Sequence, residues 1–314
     1  MNEYRAFART IRGPLVPVLA AFDAQERLDI DSTCRWGDLL ISKGLKLFWT
    51  TYGTTHYMSL TDREVLDLTE AVAKVIAGRG VFIASVPRQW ATNACIEFVE
   101  FAARCGAHVV KLQLDWNFSF PGSLLLDHYR RVAKDSPLPL FAYTLGPNGV
   151  TSDLLRQIIE IPQFIGMKND TDDFYGQERY LWTVRQYSNP EEFLVMTGGG
   201  LSSVALTYDL GVKAYGDMTP WYSPALSLRL YDCFLRGERG LVNRFLTEIE
   251  EPLFFKHWPA IGAGGHWGWG HAIAYHLGLF ISHRMRFPSL TLTSEQVEEA
   301  RIFLDQGAHL TQPD

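Results

Sequence analysis

Eight short apolar runs alternate with segments of helical spacing between residues 13 and 218, and this alternation constrains the fold more than any other feature. A strand followed by a helix and a further strand returns to the same end of its sheet, so the strands are parallel and the helices are crossovers. The strand-like runs are 13–22, 45–51, 81–86, 108–114, 138–143, 163–168, 193–198 and 212–218. Helical spacing marks 29–44, 59–78, 91–106, 122–134, 151–160, 174–187 and 201–210. The second of these has a readable start, with Thr61 as N-cap and Glu64 three residues on to complete a capping box. Eight such units close naturally into a barrel, so the spacing predicts an α/β fold, a (β/α)8 TIM barrel. An open doubly wound sheet would carry a glycine-rich fingerprint after its first strand, whereas DAQERLD stands there. The remainder reads as helices with no linker. The expected division is a barrel over 1–225, then the last barrel helix and a C-terminal helical extension over 226–314.

Length and composition agree with this reading. The chain has 314 residues, enough for one barrel with an addition. A net charge of -6 offers no basic footprint, so nucleic acid is not an expected partner. The four cysteines, Cys34, Cys95, Cys105 and Cys233, are scattered with no CxxC pair, which argues against a zinc site or a disulfide framework. They suit a reducing cytoplasm. No signal-type stretch opens the sequence and no apolar run is long enough to span a bilayer, so a cytoplasmic protein without a membrane partner is expected.

Barrels of this kind place their chemistry at the C-terminal ends of the strands. Lys168 closes an apolar run there, Phe164-Ile165-Gly166-Met167. Desolvation disfavours the charged form of a lysine, and a neutral amine can attack a ketone to make an imine. The plain alternative is a lysine whose head reaches water. Tyr143 ends the preceding strand, where a phenol could shuttle protons, or could simply be a strand-end tyrosine with a wet hydroxyl. The turn Gly53-Thr54-Thr55 supplies backbone N–H groups and two hydroxyls that suit a carboxylate and a proton relay, although Gly-Thr loops are also ordinary turn chemistry.

Taken in order, GPLVPVLAAF, GTT followed by Leu-Thr-x-x-Glu, LPLFAY, FIGMKND and the late Arg286-Phe287-Pro288 resemble the dihydrodipicolinate synthase / N-acetylneuraminate lyase family along nearly the whole chain. The resemblance implies a class I, Schiff-base barrel acting on pyruvate or another 2-keto acid, with no metal or organic cofactor, often as a homo-oligomer (dimer or tetramer). By matched position, Lys168 would be the imine lysine and Tyr143 the proton shuttle. Thr54 and Thr55 would hold the keto-acid carboxylate, with Thr55 also relaying protons.

The departures bear on substrate. His56-Tyr57 stands where the family has Gly-Glu, and no arginine occurs in the segment after Tyr143 that grips a second carboxylate in the synthases. Trp116 occupies the place of a tyrosine that crosses to a neighbouring subunit, and Gly198-Gly199-Gly200 replaces Gly-Asp-Asp. An authentic dihydrodipicolinate synthase is therefore not expected; a retro-aldolase or a 2-keto-3-deoxy sugar acid dehydratase is. A non-catalytic barrel that binds a keto acid is the competing reading. The glycines of 198–200 also hint at a phosphate-binding barrel, but Met218-Thr219-Pro220-Trp221 does not fit one.

His56 either replaces lost proton-transfer capacity or is a surface or hydrogen-bonded structural histidine. Tyr57, Trp49, Trp116 and Trp221 could form an aromatic rim, with core packing favoured for Trp49. Glycines within 262–271 argue against a helix interior and predict a loop. His266, His271 and His276 step by five, which does not keep them on one helical face for a metal. Asp170, Asp172 and Asp173 read as a solvated helix start.

Overall fold

Each expected strand is present, most of them shorter than the apolar run that signalled it, while the fifth and sixth extend one residue past the expected ends. A computed structural model describes residues 3–87, 91–112, 120–144, 150–170, 174–198, 200–262 and 264–307. The strands are β1 (Gly13–Pro17), β2 (Leu47–Trp49), β3 (Val81–Ser85), β4 (Val109–Lys111), β5 (Leu140–Thr144), β6 (Phe164–Asn169), β7 (Leu194–Thr197) and β8 (Ala214–Gly216). They form one closed barrel in sequential order, β8 returning to β1. Parallel pairing is seen at every neighbour for which a register is resolved, including β1 with β8 and β5 with β6. The first apolar run, 13–22, is not one strand. It breaks after Pro17, and Ala21–Phe22 pairs antiparallel with Leu28–Asp29 as a two-residue ribbon.

The chain divides into two compact units, Met1–Leu15, Leu47–Trp49 and Val81–Gly216 in the first, and Val16–Lys46, Thr50–Gly80 and Asp217–Asp314 in the second. The first holds the barrel. Its interior cluster includes Leu15, Leu47, Trp49, Phe141, Ile165 and Met196, all nearly solvent-free. Truncating one of the larger members to alanine would cost about 2–5 kcal/mol, because the rigid strands cannot collapse onto the gap. Helices α1 (Glu3–Ala8), α4 (Thr92–Cys105), α5 (Gly122–Ala133), α6 (Ser152–Ile159), α7 (Phe174–Tyr187) and α8 (Gly200–Thr207) belong to the same unit.

The second unit carries α2 (Ile30–Ser42), α3 (Asp62–Ile76), α9 (Pro224–Arg236), α10 (Gly240–Phe245), α11 (Trp258–Ile261), α12 (Gly265–His276) and α13 (Ser294–Gly307). The start of α3 is as read from sequence. Thr61 Oγ1 accepts from the Glu64 N–H, and the Glu64 carboxylate accepts from the Thr61 N–H, so two end donors are satisfied reciprocally. Over 262–271 the loop expectation is corrected: the chain is helical from Gly265, while Ala263 lies outside the described residues. Propensity is a weak term that packing overrides here, since a Cβ on Gly270 would sit 2.8 Å from Trp221 and 2.9 Å from Leu19. No helix among the described residues is long and apolar enough to cross a membrane.

Candidate active site

Pairing of β5 with β6 sets Tyr143 directly beside Lys168. Lys168 is 8% exposed, and its Nζ donates to Asp170 Oδ2 at 2.5 Å. The Tyr143 hydroxyl donates to the same oxygen at 2.7 Å. The Lys168 ammonium also sits 4.8 Å from the centre of the Trp49 ring and 5.1 Å from that of Tyr143, within cation–π range of both. Burial and then the Asp170 charge push the Tyr143 phenol far above its ordinary value, so it holds its proton and acts as a donor.

Two expectations change at this point. Lys168 is buried but not isolated: the Asp170 carboxylate lies at hydrogen-bond distance from its Nζ. Asp170 is not part of a solvated helix start, because its carboxylate is spent on Lys168 and Tyr143. The signal was in the sequence, since residues two apart on an extended chain share a face. Asp172 and Asp173 lie outside the described residues. Gly198 makes room for this pair. Its N–H donates to the Asn169 carbonyl at 3.3 Å, and an added Cβ would strike Asp170 Oδ1 and come 3.0 Å from Lys168 Cε. Gly199 and Trp116 are outside the described residues.

A second lysine shares the same rings, and nothing in the run HVVKLQL singles it out. Lys111, 1% exposed, places its Nζ 5.1 Å from the Trp49 ring centre and 5.0 Å from that of Tyr143. Burial, with a smaller contribution from the Lys168 charge, holds its ammonium well below the ordinary lysine range. Trp49 is a core residue as favoured, yet its ring also seats both amines.

The threonine turn belongs to the second unit. Thr55 Oγ1 accepts the Thr51 N–H at 2.8 Å, the Thr51 and Thr54 hydroxyls are bonded to each other, and the His56 N–H donates to the Gly53 carbonyl at 2.8 Å. Gly53 packs against Trp267, whose ring would be 2.8 Å from an added Cβ. His56 adopts φ 59°, a left-handed conformation easy for glycine and costly for other residues. Its 2% exposed ring is held by Nε2 of His271 at 2.9 Å. Burial, followed by His271 and His266, keeps the imidazole well below its ordinary range, so His56 is neutral near pH 7. That favours a hydrogen-bonded structural histidine over a titrating proton carrier. Tyr57 is 2% exposed with its phenol pushed up to about 12 by burial, and Trp221 is 4% exposed with Nε1 donating to the Pro17 carbonyl at 3.0 Å. Both pack in the second unit's interior, not on an open rim. Arg286, from the late Arg-x-Pro segment, makes a two-pronged pair with the Glu64 carboxylate at 2.8 Å for each prong.

A model of the dihydrodipicolinate synthetase family matches residues 10–305. The chain belongs to that family. Among relatives within and around it, a probable 5-dehydro-4-deoxyglucarate dehydratase of Streptomyces avermitilis is 26% identical over 77% of this chain and 71% of its own length. A 4-hydroxy-tetrahydrodipicolinate synthase of Pseudomonas aeruginosa is 25% identical over 79% of this chain and 85% of its own. The fold of dihydrodipicolinate synthase from Oceanobacillus iheyensis superposes with a TM-score of 0.83 at 15% identity, covering 98% of this chain and 99% of the other. N-acetylneuraminate lyase from Mycoplasma synoviae gives 0.80 at 15% identity, covering 96% and 98%. Membership in the dihydrodipicolinate synthetase family makes this chain an enzyme of lyase type with a TIM-barrel body.

Proposed function

We propose that the chain is a Schiff-base-forming lyase, an aldolase or dehydratase, that takes pyruvate or a 2-keto-3-deoxy acid on Lys168 without a metal or organic cofactor. The observation that carries this reading is the shared Asp170 oxygen, which binds both the Lys168 ammonium and the Tyr143 hydroxyl. Attack on a ketone needs Lys168 without one proton, and Asp170 is placed to draw that proton off. The protonated imine then pulls electrons from the neighbouring bond, whether carbon–carbon or carbon–oxygen. Tyr143 is the donor to the departing oxygen. It gives up its proton only as another replaces it, because a phenolate beside Asp170 is strongly disfavoured. Thr54 and Thr55 are proposed to receive the keto-acid carboxylate, with Thr55 also relaying protons.

Dihydrodipicolinate synthesis is disfavoured by the segment after Tyr143, which has no arginine for a second carboxylate, and by Trp116, whose indole cannot relay protons. A dehydratase of a deoxy keto sugar acid among the relatives supports the sugar-acid class of substrate. The test is chemical. Pyruvate with borohydride is expected to leave one stable adduct, on the Lys168 peptide, and Lys168→Met is expected to abolish it. Unchanged mass of the native protein across a panel of 2-keto acids would leave a non-catalytic barrel as the better account.

A further inference from the structure

Lys111 has no part in the chemistry above, yet it occupies the same space. Its Nζ has no hydrogen-bond partner among the described residues. Trp49 and Tyr143 bracket it at 5.1 and 5.0 Å and bracket the Lys168 Nζ at 4.8 and 5.1 Å. Among the described residues the groups that face it are few. From β6 come Lys168 and, just beyond the strand, Asp170, both near enough to act on its charge. From β5 comes Tyr143, which keeps its proton, from β3 the neutral register neighbour Ser85, and from β2 the indole of Trp49. Asp170, the carboxylate that acts on Lys111, is already bonded to Lys168 and Tyr143.

Two ammonium groups in a poorly hydrated barrel, with Asp170 the carboxylate that acts on them among the described residues, repel each other and lack hydration, so a doubly charged state is unfavourable. We propose that Lys111 and Lys168 hold one positive charge between them, and that Lys111 is thereby a positioning residue that maintains a population of uncharged Lys168. The proposal rests on the reading of Lys168 as the imine lysine. In the resting arrangement the charge is on Lys168, beside Asp170. In the reactive arrangement the proton drawn off by Asp170 is held on Lys111, and the Lys168 nitrogen carries a lone pair. That pair forms the C–N bond while the carbonyl π pair moves to oxygen, and one proton passes from nitrogen to oxygen to give the carbinolamine. Tyr143 gives its proton to the hydroxyl as it leaves as water and takes back the proton kept on Lys111, and the nitrogen pair closes the C=N bond. The products are a protonated imine and water, with no net proton gained or lost.

The consequence is a pH profile. An isolated amine loses its reactive fraction tenfold for each pH unit below its pKa. A pair sharing one charge keeps a constant reactive fraction until the second amine also protonates. Capture of pyruvate with cyanoborohydride, followed by intact mass, measures this directly. For the native protein the capture rate is expected to flatten on the acid side. Lys111→Met keeps the side-chain length, removes a buried amine that has no hydrogen-bond partner among the described residues and so is expected to fold at least as well. Its acid limb is expected to move to higher pH, with capture slowed roughly tenfold or more near pH 6. A native rate that keeps falling tenfold per unit, or a Lys111→Met profile superimposable on the native one, overturns the proposal while leaving Lys168 as the imine lysine. Absence of capture by the native protein at every pH overturns both.

Discussion

Asp170 is the side chain that joins two barrel residues of the proposed site, since a single oxygen takes hydrogen bonds from Lys168 and Tyr143. Asn at this position would keep the shape and remove the charge. Asp170→Asn is therefore expected to slow turnover of whichever keto acid is accepted by about 10²–10⁴-fold, the usual scale for a lost proton-transfer group, with little change in fold. The same substitution removes a negative charge that raises the Tyr143 phenol, so any alkaline limit set by Tyr143 should move to lower pH. Rate against pH for the two proteins decides both points. Lys168 and Tyr143 were legible because each closes an apolar run at a strand end. Asp170 was half legible, in its i, i+2 spacing from Lys168. Lys111 was hidden because a lysine inside an apolar run looks like a snorkelling residue until its burial is known.

At the scale of the element, α12 shows packing defeating propensity. Gly270 lies in a helix where alanine would ordinarily add about 1 kcal/mol, but its added methyl would meet Trp221 and Leu19 at under 3 Å. Overpacking of that kind costs about 1–3 kcal/mol, so Gly270→Ala is expected to lower the melting temperature. Gly240, exposed at the start of α10 with nothing within 4 Å of an added Cβ, is the control. Gly240→Ala is expected to leave the melting temperature unchanged or raise it, and thermal melts of the two variants make the comparison. By contrast, α3 was readable to its first turn because a capping box is a local interaction, complete within four residues.

Over the whole molecule, long-range pairs join what the sequence keeps apart. Arg286 holds Glu64 from 222 residues away, and that contact, first among its causes, brings the Glu64 carboxyl down to about 2 from an ordinary 4.5. A depressed carboxyl contributes stability that is present above about pH 4.5 and is lost as pH falls toward 2. Glu64→Gln is expected to lower stability by about 1–2 kcal/mol near pH 7, the partly exposed pair being screened by solvent. The difference should shrink through that window and vanish near its lower end, as urea midpoints against pH will show. The order of strands and helices, their parallel closure into a barrel and the lysine at the sixth strand's end follow from the sequence alone, because periodicity and strand ends are local properties of the chain. Only the tertiary structure decided that Asp170 serves Lys168, that Lys111 stands over the same rings, that His56 meets His271, 215 residues on, and that a glycine-rich segment is a helix. Each of these depends on which distant side chains come within a few ångströms and exclude water, and no short window of sequence contains both partners.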